Sequence, residues 1–396
     1  MNNKFVIDTN ALLLYLSMID LDGEIIIPEI VLHELDRLKI GDSDTSYRAR
    51  QAVRALKSKD SIIYDHEFGK QHPAALLSND DVIVQCAVKH SAKLISGDFL
   101  AQLKATALGV EIYEPDGNTE EYSGYEEIVM DDNEIAEFYE NMDINKYEIN
   151  ENQYIIIRNE SGKLIEIAKW NGNKYITIRQ GKYKTDMFGD FKPYDEHQIC
   201  AMDSLETNQM TMIKGKAGAG KSVIALNYAW SQLEKNKYDK LIIFTNPVAA
   251  KNSAKLGYYP GTRDEKLLFS QTGTMLSAKF GGIEEVQHQI QTGKLVLLPF
   301  SDIRGFDSTG LKAIIWIIES QNLDIELMKT GISRVGDDCK LILDGDYYGQ
   351  VDMDVYAGFN NGMRRVSEVY RGLDFYGEVE LQHVHRSQMA KYADLL

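Results

Sequence analysis

The sequence predicts an α/β chain in three parts: a parallel α/β unit over residues 1–115, an acidic linker and small antiparallel β segment over 116–188, and a second α/β core over 189–396. Three observations predict it. Apolar strand signals alternate with helical periodicity through the first hundred residues. Three strand signals separated by Glu160-Ser161-Gly162 and Asn171-Gly172-Asn173 lie in the middle. Gly215–Ser222 reads G-x-x-x-x-G-K-S between an apolar strand end, Thr211-Met212-Ile213, and a helical stretch, Val223–Trp230.

A chain of 396 residues has room for two or three domains, each with its own core. No apolar run is long enough to span a bilayer, and Met1-Asn2-Asn3-Lys4 runs straight into a strand without a secretory pattern. Cys86, Cys200 and Cys339 are far apart, which suggests neither a disulfide framework nor a Cys-based zinc site; a cytoplasmic location is expected. The net charge of −17 is uneven: residues 111–160 hold sixteen acids against Lys146 and Arg158, whereas residues 161–396 balance to zero. A generally basic surface is excluded, but a local basic channel is not.

Lys4–Asn10 reads as a buried strand ending in an acid, followed by a helical Ala11–Met18. Glu24–Ile27 is a short strand, and Pro28 suits the start of a helix carrying Val31, Leu32, Leu35 and Leu38 at helical spacing, with Glu34 off that face. Tyr47–Lys57 is a basic helix. Asn79 or Asp80 is expected to cap the helix Val82–His90. Lys93–Asp98 is another strand ending in an acid, and Gly109–Tyr113 closes the unit. Asp8, Glu34, Asp80 and Asp98 thus fall at C-terminal strand ends or helix starts, which converge on one crevice in an open parallel sheet. Carboxylates forced together repel unless a cation neutralises them, and such hard oxygen donors suit Mg²⁺ or Mn²⁺. A metal held this way can activate water against a phosphodiester.

Residues 114–150 read as an acidic linker or exposed helices, with some helical periodicity over Ile128–Met142. Tyr154–Arg158, Lys163–Trp170 and Lys174–Arg179 then form the small antiparallel sheet. Its Arg158, Lys169, Trp170, Lys174, Tyr175 and Arg179 interleave basic and aromatic side chains that could stack on single-stranded RNA, although cross-strand packing is the favoured role for Trp170 and Tyr175. Gln198 lies upstream of the glycine-rich loop, where a Gln amide can pair with an adenine edge. The loop itself, Gly215, Lys216, Ala217, Gly218, Ala219, Gly220, Lys221 and Ser222, is a P-loop expected to bind ATP. Backbone N–H groups and a helix N-terminus would cradle phosphate, Lys221 would reach the β/γ-phosphates, and Ser222 would sit on Mg²⁺.

Val6-Ile7-Asp8-Thr9-Asn10, the Glu34 helix, Asn79-Asp80 and Ile95-Ser96-Gly97-Asp98 together resemble a PIN domain, a metal-dependent ribonuclease fold, over about residues 1–115. The resemblance implies that Asp8, Glu34, Asp80 and Asp98 are the metal-binding acids, with Thr9, Asn10 and Ser96 in support. Asp81 rivals Asp80, and the Ile83/Val84 register favours Asp80. After the P-loop come Thr245-x-Pro247, Leu256-Gly257-Tyr258-Tyr259-Pro260-Gly261, Ile303-Arg304-Gly305, Glu319-Ser320-Gln321-Asn322, Gly345-Asp346 and Arg386-Ser387. This order resembles the PhoH family of P-loop ATPases, relatives of superfamily 1 helicases with a RecA-like core. The whole chain therefore looks like a PIN–PhoH fusion protein. That resemblance implies ATP-driven RNA unwinding coupled to ribonuclease cleavage, single-stranded or structured RNA as partner, and a homo-hexameric ring. It also implies Glu319 as the group that polarises the attacking water and Arg386 as a γ-phosphate contact across a subunit boundary.

The sequence departs from the family pattern. Ile318 stands where an Asp usually ends the Walker B strand, Asn246 replaces an Arg, Lys216 replaces a Pro, and Gly349 is an extra residue. The missing Asp normally holds the Mg²⁺ shell. Asp344 and Asp346, ending a nearby strand, are candidates to replace it. A second class of function stays open: an ATP-binding regulatory or scaffold oligomer whose nuclease does the only chemistry. DNA is not separated from RNA, because no reader of the 2′-hydroxyl is visible.

Overall fold

The computed structural model describes residues 3–14, 21–40, 44–59, 61–68, 78–113, 122–245, 267–346 and 361–383. The chain divides into two compact units, 1–120 and 121–396.

The first unit is a four-stranded parallel sheet with helices between its strands. Its elements are β1 (Lys4–Ile7), α1 (Thr9–Leu14), β2 (Glu24–Pro28), α2 (Glu29–Leu38), α3 (Asp44–Lys57), β3 (Ile62–Asp65), α4 (Asn79–His90), β4 (Lys93–Ile95) and α5 (Phe99–Ala107). The strand order is β3-β2-β1-β4, and every pairing is parallel. Val6, Ile7, Ile26, Ile27 and Leu94 are fully buried, as strands covered on both faces require. One local expectation is corrected. The cap of α4 is Ser78, not Asn79 or Asp80, because Ser78 and Asp81 form a reciprocal capping box that satisfies both backbone ends. Gly109–Tyr113 meets the sheet through a bridge of Ile112 to Leu94.

The second unit opens with β5 (Tyr125–Val129), α6 (Asp132–Glu140), β6 (Tyr154–Arg158), β7 (Leu164–Trp170) and β8 (Tyr175–Thr177). The β6-β7-β8 meander is antiparallel as expected. β5 joins β6 in parallel, inside the stretch read as linker. Its exposed Glu126 and Glu127 give the segment a solvated look, while Tyr125 is buried against the core that follows. A hairpin of β9 (Tyr183–Thr185) and β10 (Gly189–Phe191) leads into α7 (Glu196–Thr207).

Next come β11 (Met210–Gly215), α8 (Lys221–Glu234), β12 (Lys240–Thr245), α9 (Gln271–Phe280), α10 (Ile283–Gln291), β13 (Leu295–Pro299), β14 (Ala313–Ile318), α11 (Ile325–Ile332), β15 (Lys340–Gly345), α12 (Gly362–Tyr370) and β16 (Tyr376–Leu381). The six strands form one parallel sheet in the order β13-β12-β14-β15-β11-β16. The run Ala313-Ile314-Ile315-Trp316-Ile317-Ile318 is buried throughout, as a central strand must be. Parallel strands share one C-terminal edge, so the ends of β14, β15 and β11 lie side by side where the glycine-rich loop leaves the sheet. Among the described residues no helix is long and apolar enough to cross a membrane.

Candidate functional site

The structure brings the N-terminal acids together. Asp8 follows β1, Asp80 lies in the first turn of α4 and Asp98 caps α5, whereas Glu34 sits in the second turn of α2 and not, as expected, at a strand end or helix start. Asp8 is buried, and its carboxyl is pushed up to about 6, chiefly by desolvation and further by the charges of Glu34 and Asp80. Burial, then Asp98 and Glu34, also raises Asp80, against the pull of Lys104. Side chains hold the acids in place. Ser96 Oγ donates to Asp8 Oδ2 at 2.7 Å, Asn79 Nδ2 donates to Glu34 Oε1 at 2.5 Å, and Thr9 Oγ1 donates to Glu34 Oε2. Asp98 Oδ1 accepts the N–H groups of Leu100 and Ala101, at 2.7 and 3.1 Å, and its own N–H donates to Ser96 Oγ at 3.0 Å. Asp81 is employed elsewhere: Oδ2 accepts from the backbone and hydroxyl of Ser78, both at 2.9 Å, and Oδ1 pairs with Lys104 at 2.8 Å. The sequence did not single out Asn79 as a partner of Glu34. Ser78 was legible as the first residue of Ser-x-x-Asp. Among the described residues no three of these acids bring ligand oxygens within 4.8 Å of one another; hard, like-charged oxygen donors are the kind that suit a divalent cation.

At the second site, the glycine-rich loop joins β11 to α8. Gly220 precedes the helix at φ 102, a left-handed conformation that an L side chain rarely adopts, and any Cβ there would stand 3.1 Å from Gln198 Nε2. Lys221 Nζ turns back over the loop and donates to the carbonyls of Gly215 at 2.5 Å and Lys216 at 3.2 Å. Gln198 is buried beside it; Oε1 accepts the Tyr194 N–H at 2.9 Å, and Nε2 donates to the Ala219 carbonyl at 3.3 Å. Ser222 Oγ donates to Asp344 Oδ2 at 3.1 Å, and the Glu319 N–H donates to Asp344 Oδ1 at 3.1 Å. Asp344 is buried and pushed up to about 7 by desolvation, then by the charge of Glu319. Glu319 leaves β14 in a left-handed conformation, φ 52, uncommon outside glycine. It is exposed, and its Oε2 accepts from Gln321 Nε2 at 2.6 Å. A hydroxyl at a helix start, a lysine over the loop and nearby carboxylates fit a nucleotide with its divalent ion.

Arg386, and the motif pieces within 246–261 and 347–352, lie outside the described residues. The basic and aromatic side chains of the small sheet are largely occupied. Trp170 and Tyr175 are buried and pack edge to face with centroids 5.0 Å apart. Lys169 pairs with Asp203 at 2.8 Å, and Arg158 pairs with Glu127 at 3.0 Å and with Glu196. In the first unit, ligand atoms of Asp65, Cys86 and His90 lie within 4.8 Å of one another. Lys89 and His90 both bond Asp65 Oδ2, at 2.9 and 2.5 Å, and burial pushes the Cys86 thiol up to about 12, so the cluster reads as a structural ion pair.

Comparison with known proteins gives both units relatives. The family described as PhoH-like protein matches residues 190–393, and the PIN domain family matches residues 5–114. Protein PhoH2 of Bacillus subtilis is 27% identical and is aligned over 100% of both chains. Protein PhoH2 of Thermobispora bispora is 26% identical over 98% of this chain and 94% of its own, and that of Mycolicibacterium smegmatis is 24% identical over 93% and 90%. With over half its length matched by one family and most of the remainder by the other, the chain belongs to the PhoH-like family, as a fusion of a PIN domain to the PhoH domain.

Proposed function

We propose that the chain is an ATP-dependent RNA helicase and ribonuclease, in which a PhoH-type ring remodels RNA and the PIN unit cuts it. The observation that carries the nuclease half is the grouping of Asp8 with Glu34 and Asp80, like charges gathered around a buried carboxyl. Asp8, Glu34, Asp80 and Asp98 would hold Mg²⁺ or Mn²⁺. When bound, such an ion lowers the pKa of a water and stabilises the leaving oxygen of a phosphodiester. Ser96 fixes Asp8, while Thr9 and Asn79 fix the two oxygens of Glu34, so the acids are held in position before substrate arrives.

In the second unit the loop N–H groups and Lys221 would bind phosphate, and the Ser222 hydroxyl would help hold the metal ion. Glu319 polarises the attacking water. Gln198 reads adenine: its bond to Ala219 is long, and an amide offers a second N–H. Arg386 supplies a γ-phosphate contact to a neighbouring copy in a hexamer. A cytoplasmic setting suits RNA as substrate.

The test uses the full chain with labelled single-stranded RNA and DNA, ATP and Mn²⁺, following products and phosphate release together. Asp8→Asn and Asp98→Asn are each expected to abolish cleavage and leave ATP binding intact. Lys221→Ala is expected to remove nucleotide binding without unfolding the PIN unit. Unchanged cleavage in both acid variants overturns the nuclease assignment, and faster cutting of DNA overturns RNA as substrate. A second reading, an ATP-binding regulatory or scaffold oligomer with slow hydrolysis, is favoured by Ile318 at the end of β14. Negligible phosphate release alongside intact cleavage would select it.

A further inference from the structure

We propose that Asp344 on β15 takes the metal-shell role that an acid at the end of β14 would otherwise fill. The inference rests on the reading of Gly215–Ser222 as a nucleotide site. In such a site the carboxylate must stand beside the hydroxyl of the loop's final residue, since both serve the same ion. At the end of β14 stands Ile318, buried and without an oxygen ligand. The sheet order supplies the alternative. β15 lies between β14 and β11, so it is the strand next to the loop. The β14–β15 register runs to Ile317 opposite Leu343, which makes Ile318 and Asp344 the next residues of two neighbouring strands, about 4.8 Å apart laterally. A carboxylate moved by one strand therefore keeps its height above the sheet and stays on the same edge.

The contacts agree. Asp344 Oδ2 accepts from Ser222 Oγ at 3.1 Å, so this carboxylate already touches the hydroxyl with which it would share the ion's shell. Its other oxygen accepts the Glu319 N–H at 3.1 Å, and its carbonyl accepts Ser320 Oγ at 2.8 Å. Asp344 is thus aimed by the same turn that carries Glu319. The division of labour follows: Asp344 and Ser222 serve the ion's shell, and Glu319 is left to the attacking water.

The test is binding of a fluorescent ATP analogue to the full chain, with excess Mg²⁺ and with EDTA, alongside thermal unfolding to confirm folding. Wild type is expected to bind more tightly with Mg²⁺. Asp344→Asn, nearly isosteric, should lose about tenfold of that Mg²⁺-dependent gain while its affinity in EDTA holds. The double variant Ile318→Asp with Asp344→Asn should recover much of it, because the carboxylate returns by the neighbouring strand. Asp346→Asn should keep the Mg²⁺ gain. Full Mg²⁺ dependence in Asp344→Asn, or its loss in Asp346→Asn alone, overturns the assignment of Asp344 and leaves the nucleotide site standing. A wild type that binds no nucleotide in either condition overturns the nucleotide site, and this assignment with it.

Discussion

Ser96 Oγ donates to Asp8 Oδ2 at 2.7 Å while accepting the N–H of Asp98 at 3.0 Å, so one hydroxyl joins two of the clustered acids. It favours the charged form of Asp8 against the burial that raises it. Ser96→Ala should therefore weaken metal-dependent cleavage by about 10–100-fold, the usual cost of losing a group that orients a metal ligand. Raising Mn²⁺ should recover part of the loss. Cleavage at wild-type rate under limiting metal would remove Ser96 from the site.

Asp80 and Asp81 separate by what holds them. Asp81 is bonded into the cap of α4 and ion-paired with Lys104, whereas Asp80 faces the charges of Asp98 and Glu34 and feels Lys104 only as a nearby charge. Asp80→Asn should lower cleavage more steeply than Ser96→Ala does. Asp81→Asn should leave cleavage near wild type and cost about 0.5–1 kcal/mol in urea unfolding, the scale of a weakened cap. Reversed effects in the cleavage assay would assign the ligand to Asp81.

Gln198→Ala tests the base-reading proposal. With adenine read by its amide, ATP affinity should fall by more than GTP affinity, and the preference between the two should narrow. Equal losses for both nucleotides would give Gln198 only the support of the loop that its bond to Ala219 shows.

Gly124 sits at φ 84, and a Cβ there would lie 1.7 Å from the carbonyl oxygen of Glu378 in β16. The chain just before β5 is pressed against the edge strand of the large sheet, where the Glu380 N–H donates to the Ser123 carbonyl at 2.8 Å. Gly124→Ala combines a backbone clash with a left-handed φ and should destabilise the second unit by more than about 3 kcal/mol. An unfolding midpoint within error of wild type would contradict this packing.

Lys340 is buried, donates to the Asn208 carbonyl, and has its ammonium pushed down to about 7 by desolvation. A lysine in the unfolded chain titrates near 10.5. Between these values the unfolded chain binds a proton that the folded chain lacks, so this group makes stability rise with pH from about 7 to about 10. Below that window the folded state carries the buried charge and the penalty is complete. Lys340→Met removes the charge but leaves the Asn208 carbonyl without this donor. At neutral pH a net gain of about 1–3 kcal/mol is expected, disappearing near pH 10. Urea unfolding of both proteins across that range checks it; a gain that does not shrink with pH would place its origin in packing.

The P-loop was legible because its chemistry is local: eight consecutive residues dictate the backbone path and the helix start. The positions of Asp8 and Asp98 were legible for a different reason, since a parallel sheet sends its strand ends to one edge, whereas Glu34 sits in the second turn of α2, where that argument does not reach. What escaped the sequence depends on lateral neighbours. The place of β5 beside β6 was hidden by Glu126 and Glu127, whose charges belong to its exposed face. The bond from Asn79 to Glu34 spans two helices that nothing in the sequence aligns. The contact of Asp344 with Ser222 requires knowing that β15, and not β14, adjoins β11.

That strand order has a consequence for recognising relatives of this chain. A comparison made column by column meets Ile318 and scores a lost acid. A comparison made by proximity to the loop hydroxyl finds a carboxylate one strand over. If Asp344 serves the ion as proposed, equivalence in such a sheet is kept by address in space, and an acid can pass to the column of an adjacent strand.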